Sequence, residues 1–283
     1  MDDNKTGMLY LCATPIGNLE DITLRALRIL KEADIIAAED TRGSIKLLNH
    51  FDIKTPMTSY HEHNKYDKGR TLVAEMLSGK NVALITDAGT PGISDPGEEL
   101  VRQCYDAGVL VTSLPGACAC VNALVISGMP AKNFVFEAFL PADKKDRRER
   151  LESLKEKTET IVMYESPHRL RKTLKELDAV LGPERRMSVV KELTKVHENV
   201  FMTTIGGAVA FYESEEPRGE YVLVIEGMSA EEKQQKSREV WEDMSVREHF
   251  DMYVSQGLDK KDAMKSVARD RGVAKNVIYK ELL

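Results

Sequence analysis

Short apolar runs alternate with amphipathic stretches of helical period along most of this chain, and that alternation leaves few architectures open. Residues 8–13 form an apolar run ended by Thr14-Pro15-Ile16-Gly17-Asn18. A helix follows, with Thr23 suited to N-cap it and Leu24, Leu27 and Leu30 at helical spacing. Residues 34–38, 81–86 and 109–113 read as strands, and residues 67–77 and 98–105 as helices. Strands and helices in this order imply a mainly parallel sheet with crossover helices. After a break at Ser127-Gly128-Met129-Pro130, a second series begins at Phe134. It has strands near 160–164, 186–193 and 221–226, with helices near 147–156 and 167–180. The expected fold class is therefore α/β, as two α/β domains over residues 1–115 and 116–228. Residues 228–238 are polar and charged and read as a linker. Residues 239–283 read as a small helical extension, whose break at Arg271-Gly272-Val273 between two helical patterns resembles a helix-turn-helix.

The sharpest local feature is the loop Thr86-Asp87-Ala88-Gly89-Thr90-Pro91-Gly92-Ile93-Ser94-Asp95-Pro96-Gly97, with three glycines and two prolines in twelve positions. It follows a predicted parallel strand, and open α/β sheets bind ligands at the carboxyl ends of their strands. Glycine lets a ligand approach the backbone, and proline holds a loop in shape. A rigid strand-to-helix turn would explain such a loop taken alone. Residues 14–18, Glu39-Asp40-Thr41-Arg42 and Leu114-Pro115-Gly116-Ala117 follow other strands at the same sheet edge, however, and four unusual loops together favour a site. Several common sites are excluded. The chain has no G-x-G-x-x-G after its first strand, no P-loop and no G-x-S-x-G elbow. His61-Glu62-His63 lacks zinc-ligand spacing and reads equally well as a solvated polar loop.

Composition narrows the setting. The formal net charge of −6 argues against a uniformly basic surface, although RNA needs only a local basic patch. The four cysteines, Cys12, Cys104, Cys118 and Cys120, form no C-x-x-C pair, and Cys118-x-Cys120 is too tight for a zinc knuckle. They read as reduced, mostly buried residues of a cytoplasmic protein. Residues 1–7 are polar, with no basic segment leading into an apolar core, and the longest nearly apolar stretch, 117–126, is too short to span a bilayer.

Taken together, these loops resemble the tetrapyrrole-methylase superfamily, the class III methyltransferases. The matching segments are residues 13–21, 38–42, 60–64, 87–97, 114–117, 127–130, 164–169, 192–198 and 218–220, in family order. Within the superfamily they are similar to the branch that acts on ribosomal RNA. The resemblance implies two α/β domains of the tetrapyrrole-methylase type, with S-adenosyl-L-methionine in the cleft between them, usually in a homodimer. It implies 2′-O-methylation of a cytidine in the decoding region of 16S ribosomal RNA, without a metal or a membrane. By position, Pro15, Asp87, Ala88, Gly89, Thr90, Gly92, Ile93, Ser94, Ala117, Cys118, Ala119, Tyr164, Leu193, Gly219 and Glu220 are the implied cofactor-binding residues. Thr90 stands where many tetrapyrrole methylases carry Asp. This favours the RNA branch and leaves Asp87 and Asp95 both open as partners of the cofactor's amino group.

Methyl transfer from a sulfonium is an in-line displacement, so alignment matters most, and a base that accepts the ribose proton helps. Glu39, Asp40 and His61 are the expected catalytic residues, with His63, Asp95 and Glu165 as further candidates for the base. An ion pair between Asp40 and Arg42 is the structural alternative. Phosphate contacts dominate RNA binding, so Arg42, Arg147, Arg148, Arg169, Lys260, Lys261 and Lys275 are expected to carry it, the substrate being 16S rRNA or the small ribosomal subunit. Residues 144–150 read equally well as a solvated helix face. The rival readings are a precorrin-type tetrapyrrole methylase and a non-enzymatic RNA-binding protein on an inert methylase fold.

Overall fold

Five short apolar segments pair into one wholly parallel sheet in the computed structural model, which describes residues 6–283. Residues 1–5, part of the segment read as lacking a leader, lie outside the described residues. The strands are β1 (Met8–Cys12), β2 (Ile35–Ala38), β3 (Met57–Ser59), β4 (Val82–Ile85) and β5 (Leu110–Leu114), in the order β3-β2-β4-β1-β5. The helices around them are α1 (Leu24–Glu32), α2 (Thr41–His50), α3 (Lys65–Leu77) and α4 (Gly97–Asp106). Strand residues point alternately to the two faces. Leu9, Leu84 and Ala37 therefore pack with Leu72, Met76 and Leu100 of α3 and α4. Ile36, Ala83 and Ile85 pack with Ile29, Leu30 and Leu48 of α1 and α2. Burial on both faces explains why β4 is an unbroken apolar run. Thr23 caps α1 as expected, its side chain accepting from the Ala26 amide. Asp40, read as part of a loop, is the N-cap of α2.

The chain leaves β1 toward β2 and leaves β4 toward β5, in opposite directions from neighbouring strands. Such a divergence opens a crevice at the carboxyl ends. The loops after these strands are tied there: Thr14 and Gly89 exchange backbone hydrogen bonds of 2.9 and 3.0 Å.

The second sheet comprises β6 (Phe134–Phe139), β7 (Thr160–Glu165), β8 (Arg186–Lys191), β9 (Asn199–Thr204) and β10 (Tyr221–Ile225), in the order β6-β7-β10-β8-β9. Only the β6–β7 pair is parallel, so the second series does not repeat the first. The strand β9 and the helix α8 (Ile205–Ser214) carry no clear periodic signal in the sequence and appear only here. With α6 (Lys144–Leu154) and α7 (Pro167–Leu181), α8 covers one face, over Ile161, Met163, Val189 and Leu223. The other face, Val162, Val190, Val222 and Val224, packs with Cys120, Ala123 and Leu124 of α5 (Ala119–Ile126).

Both sheets belong to one compact unit, which runs through Leu154 and continues over Glu159–Glu226. A second unit comprises Lys155–Thr158 and Gly227–Leu283. It holds α9 (Ala230–Trp241), α10 (Val246–Ser255), α11 (Lys260–Asp270) and α12 (Lys275–Leu282), and Phe250, Ala263, Val267 and Ile278 form its core. The expected linker is thus corrected: most of residues 228–238 lie in α9, which Ser229 and Glu232 start with a reciprocal capping box. Polar composition suggested a linker, but a capped start and helix-favouring residues satisfy the backbone instead.

Leu223, fully buried on the central strand β10, tests this packing. Leu223→Ala is expected to lower the unfolding free energy by about 2–5 kcal/mol, read by chemical denaturation.

Candidate functional site

A cavity of about 470 Å³ lies between the carboxyl-end loops of the first sheet and the facing strands of the second. Its first wall is the loop after β4. Gly89 there has φ 85°, a left-handed conformation that only glycine adopts freely. Ser94 takes φ 67° without that freedom, and the neighbouring Asp95 offsets the strain. The Asp95 carboxylate accepts from the amides of Gly92 (2.8 Å), Ile93 (3.1 Å) and Gly97 (2.8 Å). The Thr90 hydroxyl donates to the Ala117 carbonyl at 2.8 Å and ties this loop to the one after β5.

The opposite wall comes from β7, β8 and β10. Tyr164 is held edge-on by Phe136 and Phe139, at 5.0 and 5.6 Å between ring centres. Its hydroxyl accepts from the Cys120 amide at 3.2 Å, which joins this wall to the start of α5. Burial pushes the Tyr164 phenol well up, so it stays neutral. The Glu165 carboxylate accepts from the Ser166 amide at 2.7 Å and the Thr173 hydroxyl at 2.5 Å, with Arg169 at 3.7 Å. At the rim, the Lys195 ammonium bridges Glu192 (3.0 Å) and Glu220 (2.9 Å), and Glu192 also accepts from the Glu220 amide. Burial works against the Glu192 charge, but that amide and Lys195 outweigh it and hold the carboxyl below its ordinary value. Gly219 backs this cluster at φ 83°, where a Cβ would strike the Glu192 carboxyl.

Of the residues singled out in the sequence for the cofactor, Asp87, Ala88, Gly89, Thr90, Ile93, Ser94, Cys118, Ala119, Tyr164, Leu193 and Glu220 line the cavity. Pro15, Gly92, Ala117 and Gly219 do not line it. Ala117 and Gly92 instead bond to Thr90 and Asp95 behind the wall. Glu39 lines the cavity, with one oxygen accepting from Thr86 Oγ1 at 2.8 Å. Asp40 lies in an adjoining cleft with Ser44, Thr86 and Asp87. The hydrogen bond from the Arg42 amide holds the Asp40 carboxyl below the ordinary range. The Asp40 backbone amide donates to Asp87 at 3.0 Å. His61 lines neither cleft, and its Nδ1 is buried with no hydrogen-bond partner among the described residues.

The expected RNA contacts divide. Arg148, Lys260 and Lys261 are exposed, and Lys275 is half-buried. The Arg42 side chain is 93% exposed, and its Nε lies 3.6 Å from Asp40. Arg147 is corrected: it is only 4% exposed, pairs with Glu176 at 2.9 Å and donates to the Pro141 and Ala142 carbonyls. Arg169 donates to the Leu140 carbonyl and pairs with Glu165, so its charge is also turned inward. Ile16, Thr86, Phe139, Ser166, Pro167, Val190, Tyr221 and Val222 line the cavity without having been singled out. Thr86, Ser166 and Pro167 fall in or beside the motifs already noted. The strand residues have no local signal, because an apolar strand residue looks the same whether it faces a core or a ligand.

The sequence model for Tetrapyrrole (Corrin/Porphyrin) Methylases matches residues 8–209. The chain belongs to the tetrapyrrole methylase family. It is 49% identical over 273 residues to "Ribosomal RNA small subunit methyltransferase I" of Halalkalibacterium halodurans, covering 96% of this chain and 93% of that protein. Identity to the protein of the same name in Bacillus subtilis is 45%, with the same coverage. Among solved structures, a diphthine synthase aligns with TM-score 0.61 at 13% identity, over 79% of this chain and 91% of its own. A uroporphyrin-III C-methyl transferase of Thermus thermophilus, complexed with S-adenyl homocysteine, aligns with TM-score 0.53 at 22% identity, over 77% of this chain and 97% of its own. The two-sheet fold is thus that of the methylases. As a member of this family the chain is a methyltransferase with S-adenosyl-L-methionine as its methyl donor. Among the described residues no helix is long and apolar enough to cross a membrane, and no group of three or more His, Cys, Asp or Glu could hold a metal.

Asp95→Ala strands three loop amides without an acceptor. It is expected to cost about 1–3 kcal/mol of stability, and to speed hydrogen exchange at Gly92, Ile93 and Gly97 first.

Proposed function

We propose that this chain methylates the ribose 2′-oxygen of a cytidine in the decoding region of 16S ribosomal RNA, in the cytoplasm. The observation that carries this reading is the cavity: a loop held open by its own carboxylate faces a wall of aromatic and apolar strand residues. The names of its full-length relatives supply the substrate class. A volume of about 470 Å³ lies within the range of small-ligand sites. S-adenosyl-L-methionine, when bound, supplies an electrophilic methyl carbon. The residue set fits it, with apolar walls for the adenine and polar groups for the rest. Ile93, Val190, Leu193 and Val222 suit the base, and Tyr164 closes over it. Of the two aspartates, Asp95 has both oxygens engaged by loop amides, whereas Asp87 has one occupied by the Asp40 amide. Asp87 is therefore the better partner for the methionine amino group.

The same reasoning ranks the candidate bases. Glu165 has both oxygens occupied and Asp40 caps a helix, whereas Glu39 engages Thr86 through one oxygen only. Glu39 Oε1 is our assignment for the atom that takes the ribose proton, with Thr86 positioning the carboxylate. The walls align the acceptor, which is the larger part of the catalytic task. His61, which lines neither cleft, takes no part in the proton transfer in this reading.

The N-terminal part through residue 115 and the part from 116 to 228 would each supply one wall, and the extension over 239–283 would contact RNA. Exposed Lys260 and Lys261 at the start of α11, with Lys275 and Arg148, are the proposed phosphate contacts. Arg42, exposed beside the Asp40 cleft, is a further one. We also assign the apolar outer face of α5, Val121 and Val125, to a homodimer contact.

Mapping ribose methylation in 16S RNA from a deletion strain, with and without this protein added back, tests the reading. Loss and recovery at one cytidine are expected; methylation of a tetrapyrrole instead would refute it. Glu39→Gln is expected to lower kcat by about 10²–10⁴-fold while leaving cofactor affinity in place, measured by single-turnover assay and calorimetry. Lys260→Glu with Lys261→Glu is expected to weaken RNA binding and to reduce the salt slope by about one for each phosphate interaction removed, leaving cofactor affinity unchanged.

A further inference from the structure

Two thiols stand where the cavity wall turns into α5. Cys118 is the residue before the first turn of that helix, is half-buried and lines the cavity. Cys120 lies two residues further, buried against the second sheet. Their sulfur atoms are 3.4 Å apart. The sequence alone reads all four cysteines as reduced, mostly buried small residues, and Cys12 and Cys104 are simply that. Both are buried, and burial pushes each thiol up to about 12. Cys118 differs. Its contact with the Cys120 sulfur, opposed by burial, holds the thiol below the ordinary range. The same contact, together with burial, drives Cys120 the other way. The pair therefore sets a half-buried, cavity-lining thiol against a buried one, with neutral Tyr164 as the titratable side chain facing them. That is the arrangement of a reactive cysteine with its resolving partner.

We propose that Cys118 and Cys120 form an oxidation site in the cavity wall, where hydrogen peroxide converts the pair to a disulfide that disables the cavity for its ligand. In the first step the Cys118 thiolate attacks the peroxide oxygen. An S–O bond forms, the O–O bond breaks, and hydroxide leaves to give the Cys118 sulfenic acid. In the second, the Cys120 sulfur attacks Cys118, an S–S bond forms, the S–O bond breaks, and water leaves with the Cys120 proton. The two thiols lose two electrons in all, and the peroxide gains them.

The sulfurs must close from 3.4 Å to about 2.05 Å. The movement falls on the first turn of α5, where the Cys120 amide donates to Tyr164, and on Cys118 in the wall itself. The thiol chemistry is independent of the functional reading above; its effect on cofactor affinity rests on that reading.

Hydrogen peroxide treatment of the full-length protein, followed by peptide mass mapping and calorimetry with S-adenosyl-L-methionine, tests this. The peptide holding both residues is expected to lose two hydrogens, while Cys12 and Cys104 stay reduced. Cys118 is expected to alkylate about tenfold or more faster than Cys104 with iodoacetamide. Cofactor affinity is expected to fall about tenfold or more and to return with dithiothreitol. In Cys120→Ser, compared with its own untreated form, peroxide should leave a dimedone-reactive Cys118 and no disulfide. An unmodified peptide, or alkylation of Cys118 no faster than Cys104, overturns the oxidation site. A formed disulfide with unchanged affinity overturns its action on the cavity. Failure of the untreated protein to bind S-adenosyl-L-methionine counts against the functional reading alone.

Discussion

The carboxylate of Asp95 accepts hydrogen bonds from three amides of its own loop, and the cavity takes its form from that interaction. Without an acceptor those amides would have to find partners elsewhere, and a buried unpaired amide costs about as much as a lost hydrogen bond. With Asp95 in place, the loop tolerates a left-handed Ser94 and turns Thr90 toward the Ala117 carbonyl. The loop after β1 is then held by paired backbone bonds between Thr14 and Gly89. One carboxylate therefore organises segments that are far apart in the chain.

The second constraint is the placement of α5. It follows the first sheet in sequence but buries Cys120, Ala123 and Leu124 on the second. Its start meets Tyr164, so the two walls are joined by a hydrogen bond as well as by apolar packing. The rim cluster of Glu192, Lys195 and Glu220 is more exposed, and exposed ion pairs contribute about 0–1 kcal/mol. Its importance is geometric: the Glu192 carboxylate holds the Glu220 amide and leaves room beside it only for Gly219.

Much of the first sheet is legible in the sequence. The strand-helix period, the cap at Thr23 and the Gly/Pro loop are local signals, and local signals survive in a linear sequence. The loop motifs also identify the family, because they carry backbone conformations that few residues satisfy. The features that sequence reading misses depend on partners distant in the chain or on a cap that composition hides. Arg147 looks like one member of a basic run, yet Glu176, on the next helix, turns it inward. The stretch beginning at Ser229 looks like a linker, yet its capping box makes it a helix.

The sequence by itself determined the alternating α/β plan, the loop that shapes the cavity and the family to which the chain belongs, since each is written in short-range spacing or in residues with special backbone freedom. Only the tertiary structure decided the direction of the second sheet's strands, which strand residues face the cavity, which carboxylate oxygens remain free and that Cys118 meets Cys120 at the cavity wall. These are properties of pairs brought together by folding. Burial and hydrogen bonding, not residue type, determine whether a given carboxylate, guanidinium or thiol is occupied, neutral or available.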